Sequence, residues 1–171
     1  MKRRVISMAM AVMAACFFLS PAGFSIDSAN AREYEALKGV KSVNTVFDFR
    51  DGKPENALVH LKLVHDTFKD QALKAVSQKP DFVVVFMGPS VMLLSNNREK
   101  FSPDEKKQLE EFDGIISAMS KDGVRLEVCL FAVSFFKLDP GSIAPEIKQV
   151  DNGWIASLGY QQKDYSLVPV F

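Results

Sequence analysis

Apolar residues recur at every second position in some stretches of the chain and at every third or fourth position in others. The two-residue period predicts a strand over residues 43–50, and an unbroken apolar run over 81–87 is typical of a strand covered on both faces. The longer period predicts a helix over residues 54–68. A second helix is expected from Ser102, which has the pattern of a capping residue, to Gly123, which is a common helix stop.

The second half of the chain continues the alternation of strands and helices. Residues 123–139 are interpreted as a buried strand that passes into a short helix, and residues 147–150 as a short strand. A helix capped by Asp151 or Asn152 is expected next, followed by a terminal strand over residues 166–171.

Strand–helix alternation repeated about five times predicts an α/β fold. We expect a three-layer α/β/α arrangement of flavodoxin-like type, with about five mostly parallel strands and right-handed crossovers. Pro169 confines the last strand to a sheet edge or a strand end, because proline cannot donate a hydrogen bond to a neighbouring strand.

The first 31 residues have the layout of a secretory signal peptide. Basic residues occupy positions 2–4, an apolar core spans 5–19, and a small-x-small motif lies at 29–31. The apolar core is shorter than the roughly 20 residues that a membrane-spanning helix needs. We therefore expect one domain over residues 32–171, exported to the periplasm, with no stable membrane insertion after cleavage of the signal.

The balance of charges argues against nucleic acid as a partner. The chain has 21 basic and 21 acidic residues, and removal of three basic residues and one acidic residue with the signal leaves 18 and 20. A slightly negative domain without a basic stripe lacks the electrostatic surface that binds phosphate backbones or anionic membranes.

Cys129 is the principal candidate for chemistry. Of the two cysteines, Cys16 lies in the predicted signal, so Cys129 would be unpaired in the mature protein. An unpaired cysteine in an exported protein is a candidate reactive thiol or a candidate for an intermolecular disulfide. Cys129 is also predicted near the carboxyl end of a strand, where open α/β sheets bind ligands. The alternative is a small core residue, since free cysteine is among the most buried residue types.

Other polar residues near strand ends are candidates for substrate binding, namely Asp48, Gly88 and Ser90. Asp48 and Arg50 share one face of the first predicted strand, so they are expected to pair or to reach a crevice. Asp48 and Asp51 are a possible acid/base pair. The favoured alternative is that they pair with Arg50 or cap the following helix.

The sequence favours neither a metal site nor a bound cofactor. His60 and His65 are five residues apart on one predicted helix, so they do not share a face as an i, i+4 metal pair would. A solvated His60 and a partly packed His65 are expected. The turn after the second strand, residues 88–90, has one glycine and a proline, which is unlike a Gly-rich phosphate loop.

Four segments, taken in order and spacing, resemble the DsrE/DsrF-like (TusD/YchN-like) family. They are VFDFRDGKPENALVHLKLV at 46–64, DFVVVFMGPSVMLL at 81–94, GVRLEVCLFAVSFFKLD at 123–139 and VDNGWIASLGYQQKDYSLVPVF at 150–171. The resemblance implies a compact DsrE-like α/β/α domain that assembles into trimers or hexamers. In sulfur-trafficking members a strand-end cysteine carries a persulfide and passes sulfur to a partner, and this role would fall on Cys129 alone.

The sequence departs from that family after the cysteine. Relay members have small and then basic residues there, whereas this chain has Phe131, Phe135 and Phe136. These rings are expected either to form a subunit interface or to line an apolar ligand pocket. Two functions are therefore possible. The first is an exported sulfur-relay or thiol-redox protein whose partner is a sulfur donor or acceptor. The second is a non-enzymatic oligomeric protein that binds a small ligand or another protein and in which Cys129 is only structural.

Overall fold

The computed structural model describes residues 34–171. The predicted signal peptide over residues 1–31, its cleavage site and Cys16 lie outside the described residues.

The fold is built on a five-stranded sheet in which all four neighbouring pairs are parallel. The strands lie in the order β4-β3-β2-β1-β5. Their bounds are β1 Asn44–Phe49, β2 Asp81–Phe86, β3 Arg125–Cys129, β4 Lys148–Val150 and β5 Ser166–Val170. The predicted α/β class and the parallel sheet are confirmed, and β5 lies at an edge, as Pro169 indicated.

Helices cover both faces of the sheet. The α-helices in the described part are α1 Pro54–Lys69, α2 Gln71–Val76, α3 Val91–Leu94, α4 Pro103–Asp122, α5 Leu130–Phe135 and α6 Gly153–Gln161. Helices α1 and α4 pack together on one face, and α6 packs over β1, β2 and β3 on the other. The three layers follow from strands whose central residues are apolar on both sides.

An aromatic cluster fills the layer between the sheet and helices α1 and α4. The ring of Phe112 in α4 lies 6.4 Å from Phe49 in β1 and 6.3 Å from Phe86 in β2, centroid to centroid. Phe49 and Phe86 are themselves neighbours across the parallel strands. All three side chains are fully buried, so this cluster is the centre of the core.

Local signals set the helix ends as the sequence predicts. The Ser102 hydroxyl accepts from the Glu105 amide, the Glu105 carboxylate accepts from the Ser102 amide, and Gly123 ends α4 at φ +94°. The short helix α2 has no counterpart in the sequence analysis, although Asp70 caps it by accepting from the Ala72 amide. Residues 91–94, to which the sequence analysis assigns no element, form a helical turn.

A polar network fixes the turn between α6 and β5 to the sheet. Arg125 donates to Asp81 at 2.7 Å and to the Tyr165 hydroxyl at 2.6 Å, and its guanidinium lies over the Tyr160 ring at 5.1 Å. Tyr160 donates to Glu127 at 2.8 Å. Burial, together with this bond, raises the pKa of Tyr160 to about 12.

Among residues 34–171 there is no helix that combines the length and the apolar character needed to cross a membrane.

Candidate functional site

Cys129 lies at the end of β3, beside the point where the direction of strand winding reverses. The connection from β3 leads outward to the edge strand β4, whereas the connection from β4 leads back across the sheet to β5. Cys129 is the last residue of β3, pairs in register with Val150 of β4, and immediately precedes α5. After β4 the chain enters α6, which crosses back over the sheet to β5 at the opposite edge. Ligands of open α/β sheets bind at the carboxyl ends of strands where the direction of winding reverses.

The sulfur of Cys129 is in contact with the first turn of α6. The Gly153 amide donates to the Cys129 Sγ at 3.2 Å. Gly153 is the first residue of this nine-residue helix, and its amide points out of the positive end of the helix dipole. Such a position stabilises a negatively charged sulfur.

The close approach of α6 requires glycine at position 153. A Cβ atom there would lie 2.5 Å from the Met87 sulfur and 3.0 Å from the Cys129 Cβ. Both neighbours are buried, but Met87 also lines the cavity described next, so its side chain is the neighbour that can move. Sequence reasoning assigned Asn152 as a possible cap but gave no role to Gly153. The available signal was a glycine in the first turn, where it is a weak helix former.

A cavity of about 600 Å³ opens beside the sulfur. Its walls are mostly apolar, with four aromatic side chains among them, and Cys129 forms part of the wall although that residue is only 5% exposed. The lining residues are Arg50, Met87, Gly88, Pro89, Cys129, Phe131, Ala132, Phe135, Phe136, Asn152 and Trp154. A volume of this size matches the clefts that hold small organic ligands.

Among the described residues, 34–171, Arg50 is the only charged one that lines the cavity. Its Nε donates to Asp48 Oδ1 at 2.8 Å, and its Nη2 donates to Asp48 Oδ2 at 2.9 Å. These hydrogen bonds raise the pKa of Arg50 against the opposing effect of burial, so the guanidinium stays charged. The cavity therefore presents one fixed cation whose charge is balanced by a buried carboxylate.

The structure brings some of the predicted site residues together and separates others. Gly88 lines the same cavity as Cys129, with φ at +57°. Asp48 contacts the cavity only through Arg50, in the pairing that the sequence favoured. Ser90 is fully buried, and its hydroxyl is within hydrogen-bond distance of the Phe49 and Met87 carbonyls. It does not line the cavity, and substrate binding by Asp48, Gly88 and Ser90 stays a prediction.

The remaining candidate residues have separate partners. Asp51 accepts from the Lys53 amide at 3.0 Å, just before α1, and its other oxygen lies 3.0 Å from His60 Nδ1. His65 is buried, more than predicted, and its Nε2 lies 2.7 Å from Asp122. The two histidines therefore face different carboxylates. Residues 34–171 contain no cluster of three or more metal-ligating side chains.

Comparison with known proteins gives a likeness of fold. No family model matches the chain. No curated protein matches it either. Among solved structures, MTH1491 of Methanobacterium thermoautotrophicum, described as a protein of unknown function, is similar with a TM-score of 0.58 and 16% identity. That match covers 75% of this chain and 99% of the other.

The YchN protein of E. coli is also similar, with a TM-score of 0.46 and 11% identity over 76% of this chain and 99% of that one. The likeness to MTH1491, at its low sequence identity, shows that this chain and that protein share an α/β fold.

Proposed function

We propose that the protein is an exported member of the DsrE/DsrF-like family in which Cys129 receives and passes on sulfane sulfur. The observation that carries the proposal is the contact of 3.2 Å between the Cys129 Sγ and the Gly153 amide, beside a cavity that also holds Arg50. A helix amide and a guanidinium are groups that stabilise a thiolate or a persulfide anion. The segments that resemble the family, and the parallel sheet, support the same assignment.

The proposed reaction is an exchange between sulfur atoms. The Cys129 thiolate attacks the terminal sulfur of a donor persulfide, so a bond forms between Sγ and that sulfur while the sulfur–sulfur bond of the donor breaks. The donor leaves as a thiolate and takes up the proton that the Cys129 thiol released. An acceptor thiolate then attacks the outer sulfur, and Cys129 leaves as the thiolate. Donor and acceptor are thiol compounds, so neither step needs an additional oxidant or reductant.

Mass spectrometry of the intact protein tests this reaction. After treatment with cysteine persulfide, the native protein should gain the mass of one sulfur atom, and a reducing thiol should remove it. The variant Cys129→Ser should gain nothing, and its circular dichroism should show that it is folded. Absence of the adduct on native wild-type protein, combined with alkylation of Cys129 after denaturation, would contradict the proposal.

A binding protein with a structural cysteine is the second candidate. It is favoured by the aromatic walls of the cavity and by the small exposed fraction of Cys129. A thiol-reagent titration separates the two functions, because a structural thiol should react only after denaturation. A relay thiol should react in the native protein with a reagent small enough to enter the cavity.

We also propose that the protein self-associates through an exposed apolar surface beside the cavity. The rim surface consists of residues that are each more than half exposed, namely Phe131, Phe135, Trp154, Ile155 and Leu158. Exposed apolar residues that cluster on a protein surface mark interaction sites, and three of these, Phe131, Phe135 and Trp154, lie around the same cavity. The family resemblance suggests a trimer or hexamer, and light scattering that shows a monomer at micromolar concentration would contradict this assembly.

Export to the periplasm is part of the proposal. Sequencing of the mature amino terminus should give Arg32 as the first residue. Recovery of the uncleaved chain from the cytoplasm would contradict export.

A further inference from the structure

We infer that the cavity beside Cys129 binds a small organic anion with an apolar body, and that Arg50 binds its anionic group. This names the class of molecule with which the proposed thiol would exchange sulfur, and in that respect it rests on the proposed function. Binding itself requires no reactive sulfur, so it can be measured separately.

The first support is the unused edge of the Arg50 guanidinium. Arginine has five N–H donors in a planar fork. Asp48 takes the edge formed by Nε and Nη2, and within the described residues the Nη1 atom has no hydrogen-bond partner. The edge formed by Nη1 and Nη2 is the one that binds a carboxylate end-on through two bonds. With a side chain that is 33% exposed in the cavity wall, Arg50 can be reached by a ligand.

The second support is the sign of the charges around the cavity. No acidic side chain is among the lining residues, so a cationic ligand finds no partner there. Asp48 neutralises part of the Arg50 charge, but it also holds the guanidinium in one orientation. A donor that is already fixed loses little conformational freedom when a ligand binds. The directed N–H groups of Arg50 therefore favour an anion.

The third support is the shape and chemistry of the remaining wall. Phe131, Phe135, Phe136 and Trp154 provide an extended aromatic surface, and the rings of Phe135 and Phe136 lie 5.2 Å apart. A small inorganic anion on Arg50 would leave this surface in water. A ligand that also carries an apolar chain or ring would cover it, and burial of apolar area is favourable. The expected ligand is therefore amphipathic.

Trp154 allows the binding to be measured directly, because it is the single tryptophan of the chain and lines the cavity. The full-length protein is titrated with octanoate, 1-octanol and octylammonium below their micelle thresholds. We expect a saturable change in Trp154 emission with octanoate, at least about tenfold tighter than with octanol, because a charge-assisted bidentate contact is added. Octylammonium should bind no better than octanol. Calorimetry measures the same affinities without relying on the fluorophore.

Matched variants assign the preference to Arg50. Replacing Arg50 alone leaves a buried carboxylate without its partner, so the double variant Asp48→Asn with Arg50→Met is also used. This double variant should bind octanol as the wild type does and should lose the preference for octanoate. The variant Arg50→Lys retains the charge without the fork and should show a reduced preference.

The outcomes separate this inference from the proposed relay. Equal affinity of the wild type for octanoate and octanol, or saturable binding of neither, would overturn the inference. An octanoate preference that persists in Cys129→Ser supports it even where persulfide loading of the wild type fails. Persulfide loading without any octanoate preference would leave the relay standing and reject the anion site.

Discussion

Replacement of Gly153 by alanine tests whether α6 stabilises the sulfur of Cys129. The added Cβ would lie 2.5 Å from the Met87 sulfur and 3.0 Å from the Cys129 Cβ, so the Met87 side chain, the start of α6 or both must move. Overpacking of a buried site costs about 1–3 kcal/mol of folding stability. Movement of α6 away from β3 would lengthen or break the 3.2 Å contact between the Gly153 amide and Sγ.

The expected loss of thiol reactivity follows from that contact. A hydrogen bond to a charged group is worth about 1.5–3 kcal/mol, which corresponds to a change of roughly 10- to 100-fold in an equilibrium constant. Gly153→Ala should therefore slow the reaction of Cys129 with iodoacetamide at neutral pH by about this factor. The rate is followed by intact mass, and urea unfolding measures the stability in parallel.

Gly159→Ala is the matched control, because it makes the same substitution in the same helix. A Cβ at position 159 meets nothing within 4 Å, and alanine is the better helix former. This control should gain about 0.5–1 kcal/mol of stability and leave the alkylation rate unchanged. If Gly153→Ala loses stability but reacts as fast as the wild type, the amide does not stabilise the sulfur. A faster reaction would mean that burial limits the rate.

Stability should respond to three other substitutions in different parts of the fold. Phe112→Ala should lower the free energy of unfolding by about 3–5 kcal/mol in urea titrations, because the ring is fully buried against Phe49 of β1 and Phe86 of β2. The control Gly114→Ala, in the same helix, should not lower it, because a Cβ there meets open space. Ser102→Ala removes the cap of α4 and should cost about 1 kcal/mol in the same assay. The pKa of Tyr160 is raised from its ordinary value of 10.0 to about 12 in the folded protein. Because the folded state holds the phenol proton more tightly than the unfolded state does, the contribution of Tyr160 to the free energy of unfolding should be complete below pH 10.0 and should fall as the pH rises toward 12. Tyr160→Phe should flatten that fall in melting temperatures measured across the range, and an unchanged slope would contradict the assignment.

The sequence determines most of the fold through local signals. The run from Asp81 to Phe86 is apolar at nearly every position, a pattern typical of a strand that is buried on both faces of the sheet. Ser102 and Gly123 place both ends of α4 because each satisfies backbone groups that the helix leaves free. The position of β5 beside β1 could not be predicted in this way. It depends on the path of α6 across the whole sheet, and Pro169 indicates only an edge, not which edge.

The site was predictable in its parts but not in its assembly. Alternation along β1 placed Asp48 and Arg50 on one face, and the structure pairs them. The contact between Cys129 and Gly153 joins residues 24 positions apart and exists because β3 and β4 are neighbours. The pattern of apolar residues does not determine strand order, so this contact could not be derived from the sequence alone. The cavity was anticipated only in part, because the three phenylalanines after Cys129 were expected to line either an apolar pocket or a subunit interface.

Burial of the sulfur restricts the partners with which a relay could work. At 5% exposure Cys129 lies within the cavity wall, so a folded protein cannot bring its own thiol to Sγ without an extended segment or a small carrier. A persulfide extends the reactive atom by about 2 Å, the length of a sulfur–sulfur bond, beyond the buried Sγ. The loaded form would therefore be more accessible than the empty thiol. The same geometry would shield the empty thiol from disulfide formation with bulky proteins in an oxidising compartment, while small organic anions would still enter beside Arg50.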